Sequence, residues 1–220
     1  EPANLMTFNI RSDSNWGSRK SAIVEMILDQ KPIIVGLQEV KKLDMSDLIS
    51  EGGGTQPWEY LTRNLTGYTG VQDSASNQGY FYDTDRVEVS NTGTFSMQDS
   101  EYTRKVLYAT IKDKTCDRNY SFMTTHLPLN PTERGTAVAL IKSKITELNT
   151  NSYPVIVMGD CNGVRSEACF TDFEKTYNNT RYVATSYVDN TNVNRDLYTY
   201  NAFGDSTKSR QKIDHIWVSK

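Results

Sequence analysis

The chain has 220 residues and a formal net charge of −3, enough length for one domain with a sizeable core and no global basic field of the kind that advertises nucleic acid. Its 37% apolar and 23% charged residues are ordinary for a globular protein and argue against a disordered or fibrous chain. No apolar run approaches a membrane span, and no repeat, charge block or linker divides residues 1–220.

In chain order, Asn4 to Ile10 reads as a first strand, followed by a polar loop around Gly17. From Ser18 to Gln30, Ile23, Val24, Ile27 and Leu28 recur at helical spacing, with Ser18 or Ser21 as cap and Pro32 as stop. Ile33, Ile34, Val35 and Leu37 form a continuous apolar run, which suits a strand buried on both faces. Gly52 to Gly54 and Pro57 mark a loop. Tyr80 to Val89, Leu107 to Lys112 and Tyr120 to Thr125 are strand-like, and Pro128 and Pro131 then break the chain. A second helix carries Val138, Ile141, Ile145 and Leu148 on one face. Val155 to Met158 is another buried strand. The stretch from Cys169 to Ser209 is polar and aromatic without a period, and Ile213, Ile216 and Val218 make a final strand. Many strands with few helices predict a mixed, layered α/β fold.

Five of these apolar runs end in a polar residue suited to a hard cation or a phosphate. The residues are Asn9, Glu39, His126, Asp160 with Asn162, and Asp214. A cation such as Mg2+ binds through one or two carboxylates and keeps several waters, which suits Glu39 at the end of a buried strand. Asn9 can position that carboxylate or a metal-bound water. Asp160 and Asn162 are two apart, so an extended backbone would aim both at one side. His126 can donate to a phosphoryl oxygen, and Asp214 can orient an imidazole or bind metal. His215, adjacent to Asp214, should face the opposite side and reads as structural.

This ordered set resembles the endonuclease/exonuclease/phosphatase superfamily, the deoxyribonuclease I-like fold, from Leu5 to Ser219. The segments Met6 to Trp16 with Arg19-Lys20, and Gly79 to Asp83 with Arg86, look closest to its secreted members. The resemblance implies a four-layered α/β sandwich, with two packed sheets flanked by helices. It implies Mg2+- or Mn2+-dependent hydrolysis of a phosphoester, with DNA or RNA among the expected substrates. By motif, Glu39 is the metal ligand with Asn9 as its partner, and Asp160 and Asn162 position nucleophile and phosphate. His126 stabilises the transition state. Arg11, Lys41 and Arg104 match phosphate-facing positions, and Arg134 is a looser match. Cations there act mainly on developing charge.

The family also carries a histidine on one further strand, in a Ser-Asp-His segment that Asp214 would orient. This chain ends at Lys220, and His126 and His215 are its two histidines. Three readings follow: a C-terminal segment beyond Lys220, a strand from a second chain, or a member that binds without hydrolysing. The expected function is a phosphodiesterase of nuclease type. A phosphatase or phospholipase of the same fold and a non-catalytic binding protein are the alternatives, and the lack of an amphipathic insertion tells against a lipid surface.

An odd count of three cysteines leaves one unpaired, while Cys161 and Cys169 are close enough in sequence to bridge. Acceptor tripeptides at Asn64, Asn119 and Asn178 point to a secreted glycoprotein. A start at Glu1 in place of Met reads as a processed or trimmed chain.

Overall fold

The computed structural model describes residues 3–184, 199–200 and 211–220. Much of the polar, aromatic stretch before the last strand, residues 185–198 and 201–210, lies outside the described residues. Two sheets stack face to face. The first has the order β1-β2-β4-β3 and the second β5-β6-β7-β8-β10-β9. In the first, β1 (Leu5–Asn9) runs parallel to β2 (Ile34–Gln38), and β4 (Gln78–Asp83) and β3 (Tyr68–Asp73) follow antiparallel. In the second, β5 (Val87–Met97), β6 (Arg104–Asp113) and β7 (Arg118–His126) form an antiparallel meander. Next come β8 (Val155–Asp160), parallel to β7, then β10 (Asp214–Ser219) and β9 (Tyr177–Asn179).

Three apolar clusters make this a four-layered sandwich. Ile34, Tyr80, Leu107, Phe122, Ile156 and Met158 fill the space between the sheets. Helices α1 (Trp16–Gln30) and α3 (Pro57–Asn64) cover the outside of the first sheet through Ile23, Ile27 and Leu61. Helices α4 (Pro131–Leu148) and α5 (Ala168–Phe173) cover the second through Val138, Ile141, Phe170 and Phe173. Two short helices, α2 (Met45–Ser50) and α6 (Thr180–Val183), lie at the periphery. Every residue of β2 and of β8 is buried, as their unbroken apolar runs require of strands with packing on both faces. The sheets approach closely at Gly36, where a Cβ would stand 2.4 Å from Thr124 Oγ1.

Several expected boundaries move for identifiable reasons. Helix α1 begins two residues before Ser18, because Trp16 is drawn fully into the core and packs edge-on against Tyr60. Its N-cap is Asn15, in a left-handed conformation and without a side-chain capping bond, so neither Ser18 nor Ser21 caps it. The single strand expected over Tyr80 to Val89 is instead two, β4 ending at Asp83 in the first sheet and β5 starting at Val87 in the second. Asp83 Oδ1 accepts the backbone N–H of Asp85 and of Arg86 and folds a turn there. Helix α2 gave no periodic signal because it buries no residue, with Met45 and Ile49 standing exposed. Helix α4 is capped by Asn130, whose side chain accepts from the N–H of Thr132 and Glu133.

Cys161 and Cys169 are both free thiols, as is Cys116, so the expected disulfide is not formed. Burial pushes the Cys161 thiol well up, which leaves it neutral and unreactive inside the core. Of the three glycan acceptors, Asn64 is exposed at the end of α3, while Asn119 and Asn178 are half-buried within β7 and β9. Among the described residues no helix is long and apolar enough to cross a membrane.

Candidate active site

Parallel pairing brings the C-terminal ends of β1 and β2 together in one sheet, and those of β7 and β8 in the other. Stacking the sheets then gathers Asn9, Glu39, His126 and Asp160 at one end of the sandwich. The cleft above them has a volume of about 920 Å3, and its walls also include Arg11, Arg19, Lys41, Arg104, Asn162 and Asp214.

Asn9 joins the halves. Its amide nitrogen donates to Glu39 Oε1 and to Asp160 Oδ2, both at 2.8 Å, while its oxygen accepts the N–H of Arg11 at 3.0 Å. One amide therefore holds two carboxylates from different sheets, and as oriented its oxygen is used within the protein. Ligand atoms of Glu39, His126 and Asp160 all lie within 4.8 Å of one another, a separation one cation can span. Glu39 already attracts a cation: Lys41 Nζ stands 3.1 Å from its Oε2 and 2.7 Å from Asp13 Oδ2. Burial works against the Lys41 charge, but these two carboxylates outweigh it and raise its pKa, so the ammonium is retained.

The backbone is bent to present these groups. Among the described residues nine non-glycine positions have positive φ, and four of them, Arg11, Glu39, Asn77 and Asn162, line the cleft. Such conformations cost about 1–2 kcal/mol each at Arg11 and Glu39 and less at the two asparagines. Their concentration here marks strand ends turned abruptly to aim side chains. At Gly159, next to Asp160, a Cβ would lie 1.9 Å from Thr125 O, so no other residue fits the close β7–β8 pairing. Asp160 and Asn162 do face the same cleft, but not through an extended strand. Asn162 is left-handed, its N–H bonds Asp160 Oδ1 at 3.0 Å, and its amide donates to Leu127 O at 2.8 Å. A tight turn does what alternation was expected to do.

His126 and His215 have opposite surroundings. His126 Nε2 stands 3.6 Å from Asp160 Oδ2. Burial, helped by the Arg104 and Lys41 cations and opposed by Asp160, pushes its pKa down to about 4. The ring is neutral at pH 7 and offers one N–H and one lone pair. His215 points to the other side of β10. Its Nδ1 meets the Asn179 amide and its Nε2 the Gly163 carbonyl, both at 3.0 Å, and it packs beside Trp217 and Phe170. It is a satisfied core histidine. Its neighbour Asp214 pairs in register with Asp160, and burial beside that carboxylate raises the Asp214 pKa. Asp214 Oδ1 is buried without a hydrogen-bond partner in the described structure.

The four expected basic residues divide. Arg11 and Lys41 line the cleft from the β1 and β2 ends, and Arg104 lines it from the start of β6. Arg134 needs correcting. Its buried guanidinium bonds Glu167 through Nε and Nη2, at 2.9 and 2.8 Å, and donates to the carbonyls of Pro128 and Leu129. It clamps the β7–α4 loop and does not reach the cleft wall. Sequence reasoning assigned no role to Arg19, Tyr102 or Leu129. Arg19 donates to the carbonyls of Ile10, Ser14 and Arg11 and fixes the loop that carries Arg11. Tyr102 and Leu129 sit in loops, where no periodicity could flag them.

The sequence matches the Endonuclease/Exonuclease/phosphatase family over residues 6–220, and the chain belongs to that family of phosphoester hydrolases. An endonuclease/exonuclease/phosphatase structure from Bacteroides vulgatus is 23% identical, with a TM-score of 0.77 over 98% of this chain and 85% of that one. The mannosyl-6-phosphatase of Bacteroides thetaiotaomicron is 21% identical, with a TM-score of 0.69 over 99% and 85%. D. rerio TDP2 complexed with single-strand DNA product is 17% identical, with a TM-score of 0.66 over 99% and 84%. No curated protein sequence matches the chain.

Proposed function

We propose that this cleft hydrolyses a phosphodiester with the help of Mg2+ or Mn2+. The observation that carries the reading is the Asn9 amide, which holds Glu39 and Asp160 together at 2.8 Å each beside the Lys41 ammonium. Packing alone gives no reason to gather two carboxylates, a neutral imidazole and several cations at strand ends. The residues suit a hard divalent cation, with Glu39 as ligand and with Asp160 and His126 within reach. When bound, such an ion stabilises charge on the phosphoryl oxygens.

The chain's own groups then have separate tasks. Asp160 holds the attacking water and accepts its proton, and Asn162 fixes that carboxylate through its backbone N–H. The neutral His126 donates to a phosphoryl oxygen. Arg11, Lys41 and Arg104 face the charge that develops as the bond breaks. Asp214, whose Oδ1 has no hydrogen-bond partner among the described residues, is set to receive an imidazole. Among the described residues β1 pairs with β2 alone, and its last residue, Asn9, touches Asp160. A strand added along β1, from beyond Lys220 or from a second chain, would enter beside the site and could bring that imidazole. The acceptor tripeptides support secretion and glycosylation of the protein.

The TDP2 complex with single-strand DNA product supports a diester or nucleic-acid substrate, and the mannosyl-6-phosphatase supports a monoester. One assay tests the reading: hydrolysis of DNA, RNA, a generic phosphodiester and a generic monoester, with Mg2+ and with chelator. Diester turnover that needs metal and falls with Glu39→Ala is the expected result. Turnover of the monoester alone would make the protein a phosphatase. Inertness on all four with no metal binding would make it a non-catalytic member.

A further inference from the structure

We infer that Tyr102 and Leu129 form a stacking subsite for a single unpaired nucleobase attached to the phosphate, an inference that rests on the phosphoester reading above. Among the described residues seven large apolar side chains are exposed, and these two, at 54% and 53%, both line the catalytic cleft. Isolated exposed apolar residues are ordinary on any surface. Two in one concave site beside His126 and Asp160 are a recognition surface.

Both sit on backbone fixed by hydrogen bonds. Asp99 Oδ1 accepts the N–H of Glu101 and of Tyr102, each at 2.8 Å, and Asp99 Oδ2 pairs with Arg104 Nε at 3.3 Å. Ser100 N–H bonds Glu133 Oε1 at 3.1 Å, which ties the loop to the first turn of α4. The Arg104 guanidinium lies 4.9 Å from the centroid of the Tyr102 ring and backs it. Leu129 is set by its own carbonyl, which accepts from the buried Arg134 at 2.8 Å. The contact with Arg104 orders the ring while leaving it 54% exposed. It prepays the entropy of stacking a ligand on it.

The charges say which part of the ligand lies there. Arg11, Lys41 and Arg104 mark the phosphate position, whereas Glu101, also on the cleft wall, repels a second phosphate near Tyr102. What covers the tyrosine is therefore the uncharged part of the substrate. A flat π-face suits a ring backed by a guanidinium, since the cation withdraws the ring's negative potential and weakens contacts with sugar C–H groups. In a duplex both faces of a base are covered by its neighbours, so the base that stacks here is single-stranded or terminal.

The test compares adenosine 5′-monophosphate with ribose 5-phosphate, which differ by the base alone, in calorimetric titrations with Mg2+. Affinity is read as Kd, or as KM where the ligand is turned over. Base–aromatic stacking predicts that the nucleotide binds about tenfold more tightly or better. That ratio should fall to near one in Tyr102→Ala, persist in Tyr102→Phe and shrink in Leu129→Ala. Equal affinity in the wild type, or a ratio that survives in folded Tyr102→Ala, overturns the subsite while leaving phosphoester hydrolysis standing. If neither ligand nor inorganic phosphate binds, the phosphoester reading fails and the subsite fails with it.

Discussion

The two ends of the second sheet solve opposite problems with the same residue types. At its far end Asp113 is held by Arg86 through both carboxylate oxygens, at 3.3 and 3.1 Å, and by the hydroxyl and N–H of Thr115 at 2.6 and 2.9 Å. Every group has a partner, and although burial acts to raise it, these contacts hold the Asp113 carboxyl down at about 2. At the cleft end, where β6 begins with Arg104, the carboxylates of Asp160 and Asp214 face each other in register, and among the described residues Asp214 Oδ1 lacks a partner. Left-handed backbone and a desolvated His126 lie alongside. One end is arranged for stability, and the other holds unspent interactions that a metal and a phosphate can satisfy.

The largest effect should come from Glu39→Ala, which removes the carboxylate proposed as metal ligand. Metal-dependent diester hydrolysis is expected to fall by about 10²–10³-fold. Because Glu39 is half-buried and its removal leaves the core intact, the melting temperature should barely move. A parallel loss of fold and activity would dissolve the contrast between the two ends.

The converse variant is Arg86→Met. Removing one partner of a buried ion pair costs about 3 kcal/mol, read by urea unfolding, with KM for a phosphodiester unchanged. The pair also sets an acid limit. Asp113 has its pKa depressed from 3.8 to about 2, so its contribution is present above about pH 4 and is lost as pH falls from there through 2. Arg86→Met should flatten that part of the stability curve.

Arg134→Met tests whether an arginine near the cleft belongs to it. Its partner Glu167 is 27% exposed, so a loss of about 2 kcal/mol is expected, somewhat less than at Arg86. Salt-dependent phosphate inhibition of hydrolysis should remain as in the wild type. A clear weakening of that inhibition would return Arg134 to the substrate-binding set.

The smallest effect sharpens the cleft end itself. Asp214→Asn removes a carboxylate whose pKa is raised by burial and by Asp160. A group with a raised pKa destabilises the fold once it must ionise, so wild-type stability without metal should decline as pH rises above the ordinary carboxylate range towards the Asp214 pKa. The variant should lose that decline and melt a few degrees higher at pH 8, on the order of 1 kcal/mol. No change in the pH profile would mean that neither burial nor Asp160 raises the Asp214 pKa.

Much of the architecture was legible along the chain because burial writes itself into sequence. The apolar runs of β2 and β8 announced strands packed on both faces, and the helical spacing of Ile23, Ile27, Val138, Ile141 and Ile145 announced the two main covering helices. Helix α2 and the turn at Asp83 were not legible as such, since one buries nothing and the other depends on a side chain bonding its own backbone. The polar residues that end the strands identified Asn9, Glu39, His126 and Asp160, but Arg134 could not be told from a phosphate ligand until Glu167 and two carbonyls were seen to surround it.

By itself the sequence determined which side chains are candidates for the chemistry, because a hard cation and a phosphate call for carboxylate, amide, imidazole and guanidinium groups, and these stand in a recognisable order at strand ends. Only the tertiary structure decided which of them meet. Asn9 is 151 positions from Asp160, and nothing local relates them. They touch because β1 and β8 lie in different sheets stacked at one end, and because a left-handed turn places Asn162 beside Asp160 where simple strand alternation would not. The packing of α5 on the outer face of the second sheet buried His215 among aromatic rings, while the loop before β6 left Tyr102 open to the cleft, a sorting set by packing and solvent access that no single stretch of chain encodes.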